Sequence, residues 1–476
     1  MRFPTKIFIN GKARAGSGAA PVPVINPAND KTLCEVASAS PRDAADAVHF
    51  AHACYERAWR DLPPGRRATI LFDIAAAIRK NAEELAQLET ANIGKPIADA
   101  RDEIALGART FEYYAGAISK FCGQTIPVAR GGFDFTLRQP MGVVAAIVPW
   151  NFPFPIACWK AAPALAAGNC VVLKPARLSP LTALRLGELA LEAGLPEAAL
   201  QVLPGPGDQI GDALVRHPLV RKISFTGSTA VGSQIMQAAA RDIKRVSLEL
   251  GGKSPNVVFA DADWLQAAKS APMAVFANTG QDCCARSRIF VERKIAKKFT
   301  EAFLEATASL AVGNPIDAKT QIGPLVSQHQ RDVVESYIAS ARETKRQILC
   351  GGDRPFAKGC YLNPTIIAGC ETSDKVWREE IFGPVACIRP FTNEDEMIAE
   401  VNASPYGLSG SLWTNDLKRA LRVARRIESG VLSVNTHSSV HVEAPFGGFK
   451  QSGLGRDLGM AAMEGYTELK NVYVAE

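Results

Sequence analysis

The sequence has no apolar run long enough to cross a bilayer: its longest, around "VVAAIVPW", falls far short of the roughly 20 residues that a spanning helix needs. Nor does the opening "MRFPTKIFINGK" carry the apolar stretch of a secretory signal, so a cytoplasmic protein with no membrane partner is expected. Eleven cysteines are present, but the number is odd and no two stand in CxxC spacing. That argues against a disulfide framework and against a zinc knuckle. Histidine is scarce. His437 and His441 are four apart, but they sit in "NTHSSVHVE", a β-rich stretch without an HExxH pattern, and no metal is expected there. Neither sign of charge is in large excess, with 54 basic and 48 acidic residues spread along the chain. Clusters such as "VERKIAKK" (291–298) read as solvated helix starts without the aromatics that stack on bases, so nucleic acid is excluded as a partner.

What is present is a regular alternation of strand and helix. "GVVAAIVP" (142–149) reads as a buried strand and "PFPIACWKAAPALAAG" as a helix closed by Gly168. "CVVLKP" is a strand, and "SPLTALRLGELALEAG" (179–194) a helix with Ser179 as N-cap, Pro180 at the first position and Gly194 as its stop. The strands "LQVLPG" and "VRKISFTG" continue the series, which indicates βαβ units around a parallel sheet covered on both faces. A second α/β series follows "SLELGGKSPNVVF", and a long helical region (42–120) precedes both. "TIPVARGGFDFTLRQP" (125–140) alternates like an exposed hairpin. The chain of 476 residues is long enough for two or three domains.

Several stretches carry more than structure. "ISFTGSTAVGSQIMQAA" (223–239) runs strand, glycine-serine turn, helix, a form whose free N–H groups suit a dinucleotide pyrophosphate as well as an ordinary cap. "VPWNFPFP" (148–155) places Asn151 at the carboxyl end of a strand, where parallel sheets bind ligands, although proline-stiffened turns also look like this. In "VSLELGGKSP" (246–255), Glu249 stands between leucines, which is costly unless the carboxyl is partnered or protonated. "GQDCCARSR" (280–288) puts Cys283 and Cys284 at a helix-to-strand junction, where one thiol can be exposed as a nucleophile and the other packed.

Taken in order, "PWNFP", "KP" before a helix, "FTGST", "LELGGKSP", "GQ-x-C", "EEIFGPV" (379–385) and "PFGGFKQSG" resemble the aldehyde dehydrogenase superfamily over nearly the whole chain. The resemblance implies an α/β aldehyde dehydrogenase fold. Its expected parts are a Rossmann-like cofactor domain (1–118 and 141–250), a catalytic α/β domain (251–450), and a bridging hairpin with the C-terminal tail (119–140 and 451–476). The last pair would join subunits into a homodimer or homotetramer. It further implies oxidation of a small-molecule aldehyde to its acid with NAD or NADP. Cys283 would be the nucleophile, Asn151 with the Cys283 backbone N–H the oxyanion hole, and Glu249 the base that hydrolyses the thioester. Retention of Glu249 argues against the branch that passes the acyl group to coenzyme A. Lys174 and Glu380 resemble the ribose-binding residues, with Trp150, Gly227, Ser228 and Phe382 along the cofactor path. Arg177 departs from the common pattern of a glutamate three residues after the lysine, and a guanidinium can pair with a 2′-phosphate but cannot accept from a 2′-hydroxyl.

By the same resemblance, Phe152, Ile156, Trp159, Asp282, Cys284, His437, Val440 and Phe446 are expected to line the substrate pocket. Asp282 and Glu443 resemble acids of the branch that oxidises γ-aminobutyraldehyde, so an ω-aminoaldehyde held by Asp282 is one expectation. The other is that Asp282 pairs with Arg286 or Arg288 and that the substrate is an uncharged aliphatic or aromatic aldehyde. A cofactor-independent cysteine esterase and a non-catalytic protein on an enzyme scaffold are the rival classes. Dependence of turnover on NAD(P) separates them from a dehydrogenase.

Overall fold

The computed structural model describes residues 2–18 and 20–475. Its first large sheet has eight strands, and its centre runs Cys170–Lys174, Val143–Ile147, Val220–Thr226, Arg245–Glu249, all parallel. Cys170–Lys174 and Val143–Ile147 are buried at every position, which explains their unbroken apolar sequences: a strand covered on both faces has no polar side to alternate with. The helix Pro153–Ala166 is likewise buried all round, and ends where Gly168 takes φ +92°. Helices Leu181–Glu192 and Thr229–Ala240 complete the crossovers. As a result Ile147, Lys174, Thr226 and Glu249 all end at one edge of the sheet, the edge at which such sheets bind ligands.

One helix start differs from expectation. The helix begins at Leu181 with Pro180 at its cap, and the Ser179 hydroxyl is buried without a hydrogen bond. Ser179 N donates to the Ala176 carbonyl, which closes a turn and carries the chain one residue further before the helix begins.

A second sheet of seven strands includes Pro255–Val258, Arg288–Glu292, Val385–Phe391, Ser409–Trp413 and Val431–Val434, all parallel to their neighbours in this set. Residues 435–443, read as β-rich, form no strand. Instead Thr436 Oγ1 accepts locally from Ser438 N, and Asn435 Oδ1 ties the segment to the neighbouring strand's end by accepting from Thr414 N. The 125–140 hairpin is present as Thr125–Ile126 and Phe133–Pro140, and the C-terminal strand Thr467–Val474 pairs with it over eight residues. Ahead of the helix Gly459–Glu464, Gly453–Leu454 pairs antiparallel with Glu249 and Leu248 and so covers the first sheet's edge.

Candidate active site

The helix Trp264–Phe276 breaks abruptly into a turn in which Asn278, Thr279 and Gly280 all have positive φ. Gln281 then pins the chain, its Oε1 accepting from Val326 N at 2.8 Å and its Nε2 donating to Asn278 O at 3.0 Å. Cys283 is half-buried and faces a cavity, whereas Cys284 is 5% exposed. The thiols of Cys283 and Cys284 and a carboxylate oxygen of Asp282 lie within 4.8 Å of one another. The Cys284 thiol beside it, burial, and the nearby acid all push the Cys283 pKa upward. Burial also raises Asp282, although its Oδ1 accepts from Cys284 N at 2.8 Å. Among the described residues neither expected arginine forms an ion pair with it. Arg286 donates to Cys284 O, His437 O and Ser439 Oγ, and Arg288 to Lys253 O and Val401 O.

Two further groups reach this loop from the first sheet. Asn151 follows the strand Val143–Ile147, is buried, and donates from Nδ2 to Gln281 O at 2.9 Å. Glu249 ends its strand 3% exposed, and neither carboxyl oxygen has a hydrogen-bond partner among the described residues. Burial pushes its pKa well above the ordinary carboxyl range and Asp457 adds to this, while Lys160 and Arg456 oppose it. Lys160 and Asp457 themselves form a buried pair at 3.0 Å, with Lys160 Nζ also 3.1 Å from Ser224 Oγ. Sequence reasoning missed both. The signal was available: a lone lysine inside "IACWKAAPALA" is as anomalous as a glutamate between leucines.

The cavity gathers most of the expected pocket residues. Phe152, Ile156 and Trp159 come from one helix and its cap, Asp282 and Cys284 flank Cys283, and Val440 and Phe446 come from the segment after the strand Val431–Val434. Trp159 and Phe446 meet edge to face with centroids 5.5 Å apart. Glu103 and Leu106, from the helix Ile97–Ala117, line it without having been anticipated. His437 does not belong to it. That ring lies in a separate, more polar cavity, with Nδ1 3.1 Å from Ser411 Oγ and its centroid 5.1 Å from Trp413, and burial lowers its pKa to about 3. Asp282 is the residue shared by both cavities. Glu443 lines neither cavity; it is exposed and paired with Arg109 at 2.6 Å.

Lys174, Gly227 and Ser228 fall along the same sheet edge, and Glu380 and Phe382 come from the loop before the second sheet's strand Val385–Phe391. Lys174 is buried, donates to Pro175 O at 3.1 Å, and has a pKa lowered to about 8 by burial. Ser228 caps the helix Thr229–Ala240, and Gly227 N donates to Glu249 O. Trp150 and Phe382 meet at right angles with centroids 5.2 Å apart. Glu380 Oε1 accepts from Gly252 N at 2.9 Å, and a Cβ on residue 251 would lie 2.3 Å from Oε2, so the first glycine of "LELGG" leaves room for this carboxylate. Burial raises Glu380 to about 7. Arg177 is exposed, with no hydrogen bond or ion pair to another described residue. A buried lysine and a capped helix start at one sheet edge, with an acid that has one oxygen free of protein donors, fit a dinucleotide.

A profile of the aldehyde dehydrogenase family matches residues 14–472. Phenylacetaldehyde dehydrogenase of Pseudomonas fluorescens is 44% identical, with 100% of this chain and 97% of that one covered. Betaine aldehyde dehydrogenase of Cereibacter sphaeroides is 41% identical, with 98% and 96% covered. The crystal structure of an indole-3-acetaldehyde dehydrogenase complexed with NAD+ superposes with a TM-score of 0.98 at 42% identity, over 100% of this chain and 97% of the other. With the fold, the sheet-edge site and these matches in agreement, the chain belongs to the aldehyde dehydrogenase family.

Proposed function

We propose that this NAD(P)-dependent aldehyde dehydrogenase oxidises an uncharged, ring-bearing aldehyde of the arylacetaldehyde class to its carboxylic acid, with NAD+ as the acceptor. The observation that carries the substrate class is the wall of the cavity. Phe152, Trp159 and Phe446 supply aromatic surface, and Ile156, Leu106 and Val440 supply aliphatic surface. Four carboxyl groups also reach it, but two are ion-paired and burial opposes charge on the other two. Glu103 is paired with Lys95 and Asp457 with Lys160, while burial favours the neutral forms of Glu249 and Asp282. The named activities of the phenylacetaldehyde and indole-3-acetaldehyde relatives, and the NAD+ bound in the latter, support the same choice.

In this reading the Cys283 thiolate adds to the aldehyde carbon and forms a thiohemiacetal. A free thiol with pKa near 8.5 is only about 3% ionised at pH 7, and the raised Cys283 pKa makes the nucleophilic thiolate scarcer still at rest. Asn151 Nδ2 and the Cys283 N–H donate to the developing oxyanion, and one such donor is typically worth about 2.7–4 kcal/mol. Bound NAD+ supplies the hydride acceptor. Lys174 and Glu380 would hold its ribose hydroxyls and the Gly227–Ser228 turn its pyrophosphate. Glu249 then removes a proton from the water that attacks the Cys283 thioester, and the thiol is regenerated as the acid leaves.

The eight-stranded sheet would form the cofactor domain and the seven-stranded sheet the catalytic one. The three-stranded sheet would be the subunit contact of a dimer or tetramer, since Phe133, Leu137, Leu469, Tyr473 and Val474 expose apolar side chains along it. Among the described residues no helix is long and apolar enough to cross a membrane.

The test is a comparison of kcat/KM for phenylacetaldehyde, butanal, 4-aminobutyraldehyde and betaine aldehyde with NAD+. Phenylacetaldehyde is expected to exceed both cationic aldehydes at least tenfold. A preference for 4-aminobutyraldehyde over butanal that disappears in Asp282→Asn would overturn the uncharged reading.

A further inference from the structure

The segment between Ile147 and Pro153 carries Asn151 but belongs to neither the strand nor the helix that flank it. Val148 N still donates to Lys174 O at 3.1 Å, but Pro149 has no N–H to donate, so the ladder does not fix the turn beyond it. Side chains do so instead. Lys95 is fully buried; its Nζ bonds to Glu103, donates to Asn151 O at 3.0 Å and lies 4.2 Å above the Phe152 ring. Asn278 Nδ2 donates to the same Asn151 carbonyl at 2.9 Å and to Gln281 O at 3.2 Å. Gln281 O also receives one N–H of the Asn151 side chain. The Asn151 carbonyl is thus held by two donors, and its amide keeps one N–H uncommitted.

We propose that Lys95 is a positioning residue of the reaction: its ammonium, anchored at the tunnel wall by Glu103, fixes the Asn151 main chain and thereby aims the Asn151 amide at the oxyanion. This rests on the proposed role of Asn151 as oxyanion donor. A buried ammonium is costly unless paired, and Glu89 and Asp99 also feel its charge. Glu89 in turn accepts from Phe154 N at 3.2 Å and Thr182 Oγ1 at 2.7 Å, so the same polar cluster holds the turn on the far side of Phe152. The competing view is that Lys95 only neutralises these three acids and supports the fold. Non-additivity separates the two, because a residue that acts through Asn151 has nothing left to position once the amide is gone.

The experiment measures the single-turnover rate of NADH formation, using phenylacetaldehyde or whichever panel aldehyde gives the highest kcat/KM. The proteins are Lys95→Met, Asn151→Ala and the double variant, with the NAD+ dissociation constant and thermal midpoint recorded for each. Asn151→Ala should lose about 10²–10³-fold. Lys95→Met should lose at least tenfold with aldehyde KM and NAD+ affinity changed less than threefold, and the double variant should match Asn151→Ala within threefold. If Lys95→Met retains the native rate, or if the double variant shows the product of the two losses, Lys95 does not act through Asn151 and the inference falls. If Asn151→Ala itself keeps the native rate, the oxyanion assignment falls first and the inference with it. Should Lys95→Met fail to fold, Lys95→Met/Glu103→Gln removes the pair together, and the same comparison with Asn151→Ala decides by the same criteria.

Discussion

Gly252 lies so close to the nucleophile loop that a Cβ at this position would sit 2.3 Å from the Cys283 carbonyl oxygen. The obstacle is backbone rather than a flexible side chain, so neither partner can yield without moving Cys283. Gly252→Ala should therefore cost about 1–3 kcal/mol of stability by overpacking. It should also reduce the rate of NADH formation at least tenfold, while an NAD+ titration still shows binding. Native turnover in a folded Gly252→Ala protein would show that the loop tolerates displacement.

The order of the two cysteines is tested by chemistry as well as by loss. Cys283→Ala should abolish dehydrogenation with NAD+ binding intact, and Cys284→Ala should cost little. The Cys284 thiol is the first of the groups that raise the Cys283 pKa. Removing it should shift the pH profile of Cys283 alkylation by iodoacetamide to lower pH. An upward shift, or abolition by Cys284→Ala alone, would mean that the roles are reversed.

Much of this site is legible in the sequence because strand ends, paired glycines and a cysteine behind a broken helix are local patterns. Asn151, Glu249 and the Cys283–Cys284 pair stand out that way, whereas Lys174, Glu380 and the choice of Cys283 over Cys284 come from the family resemblance. What was not legible depends on which way a side chain turns or what meets it from far along the chain. His437 lies near "PFGG" in sequence, but its ring packs on Trp413 and faces another cavity. Lys95 and Glu103 read as ordinary charged residues around a helix start, and only the tertiary fold brings them to Asn151, whose residue number is 56 higher than that of Lys95. Ser179 has the chemistry of an N-cap, yet an added turn moves the helix start beyond its reach.

Glu380 should give cofactor binding a pH dependence. Its pKa is raised to about 7 by burial, and the ionised carboxylate accepts from ribose hydroxyls more strongly than the neutral acid. Protons then compete with the cofactor, so the dissociation constant for NAD+ should rise as pH falls from 8 toward 6. The effect should flatten in Glu380→Gln, which binds more weakly throughout. Calorimetric titration across this range checks both, and a pH-independent constant in the native enzyme would remove Glu380 from the ribose site.

Arg177 stands exposed and free of described partners, three residues beyond Lys174. A carboxylate there accepts from a 2′-hydroxyl and repels a 2′-phosphate. Arg177→Glu should therefore lower the NADP-to-NAD ratio of kcat/KM at least tenfold. An unchanged ratio would show that the guanidinium does not meet the adenosine ribose.

The central claim is that Cys283 carries the acyl group and Glu249 releases it, and the most direct measurement is made on Glu249→Gln. Mixed with NAD+ and aldehyde, this variant should release about one NADH per subunit in a fast phase and then turn over slowly, because acylation proceeds without the base that activates water. Acid quench and fragment mass spectrometry of the peptide spanning "TGQDCCAR" should place the acyl mass on Cys283. An acyl group on Cys284, or no adduct with burst and steady state reduced equally, would contradict the account.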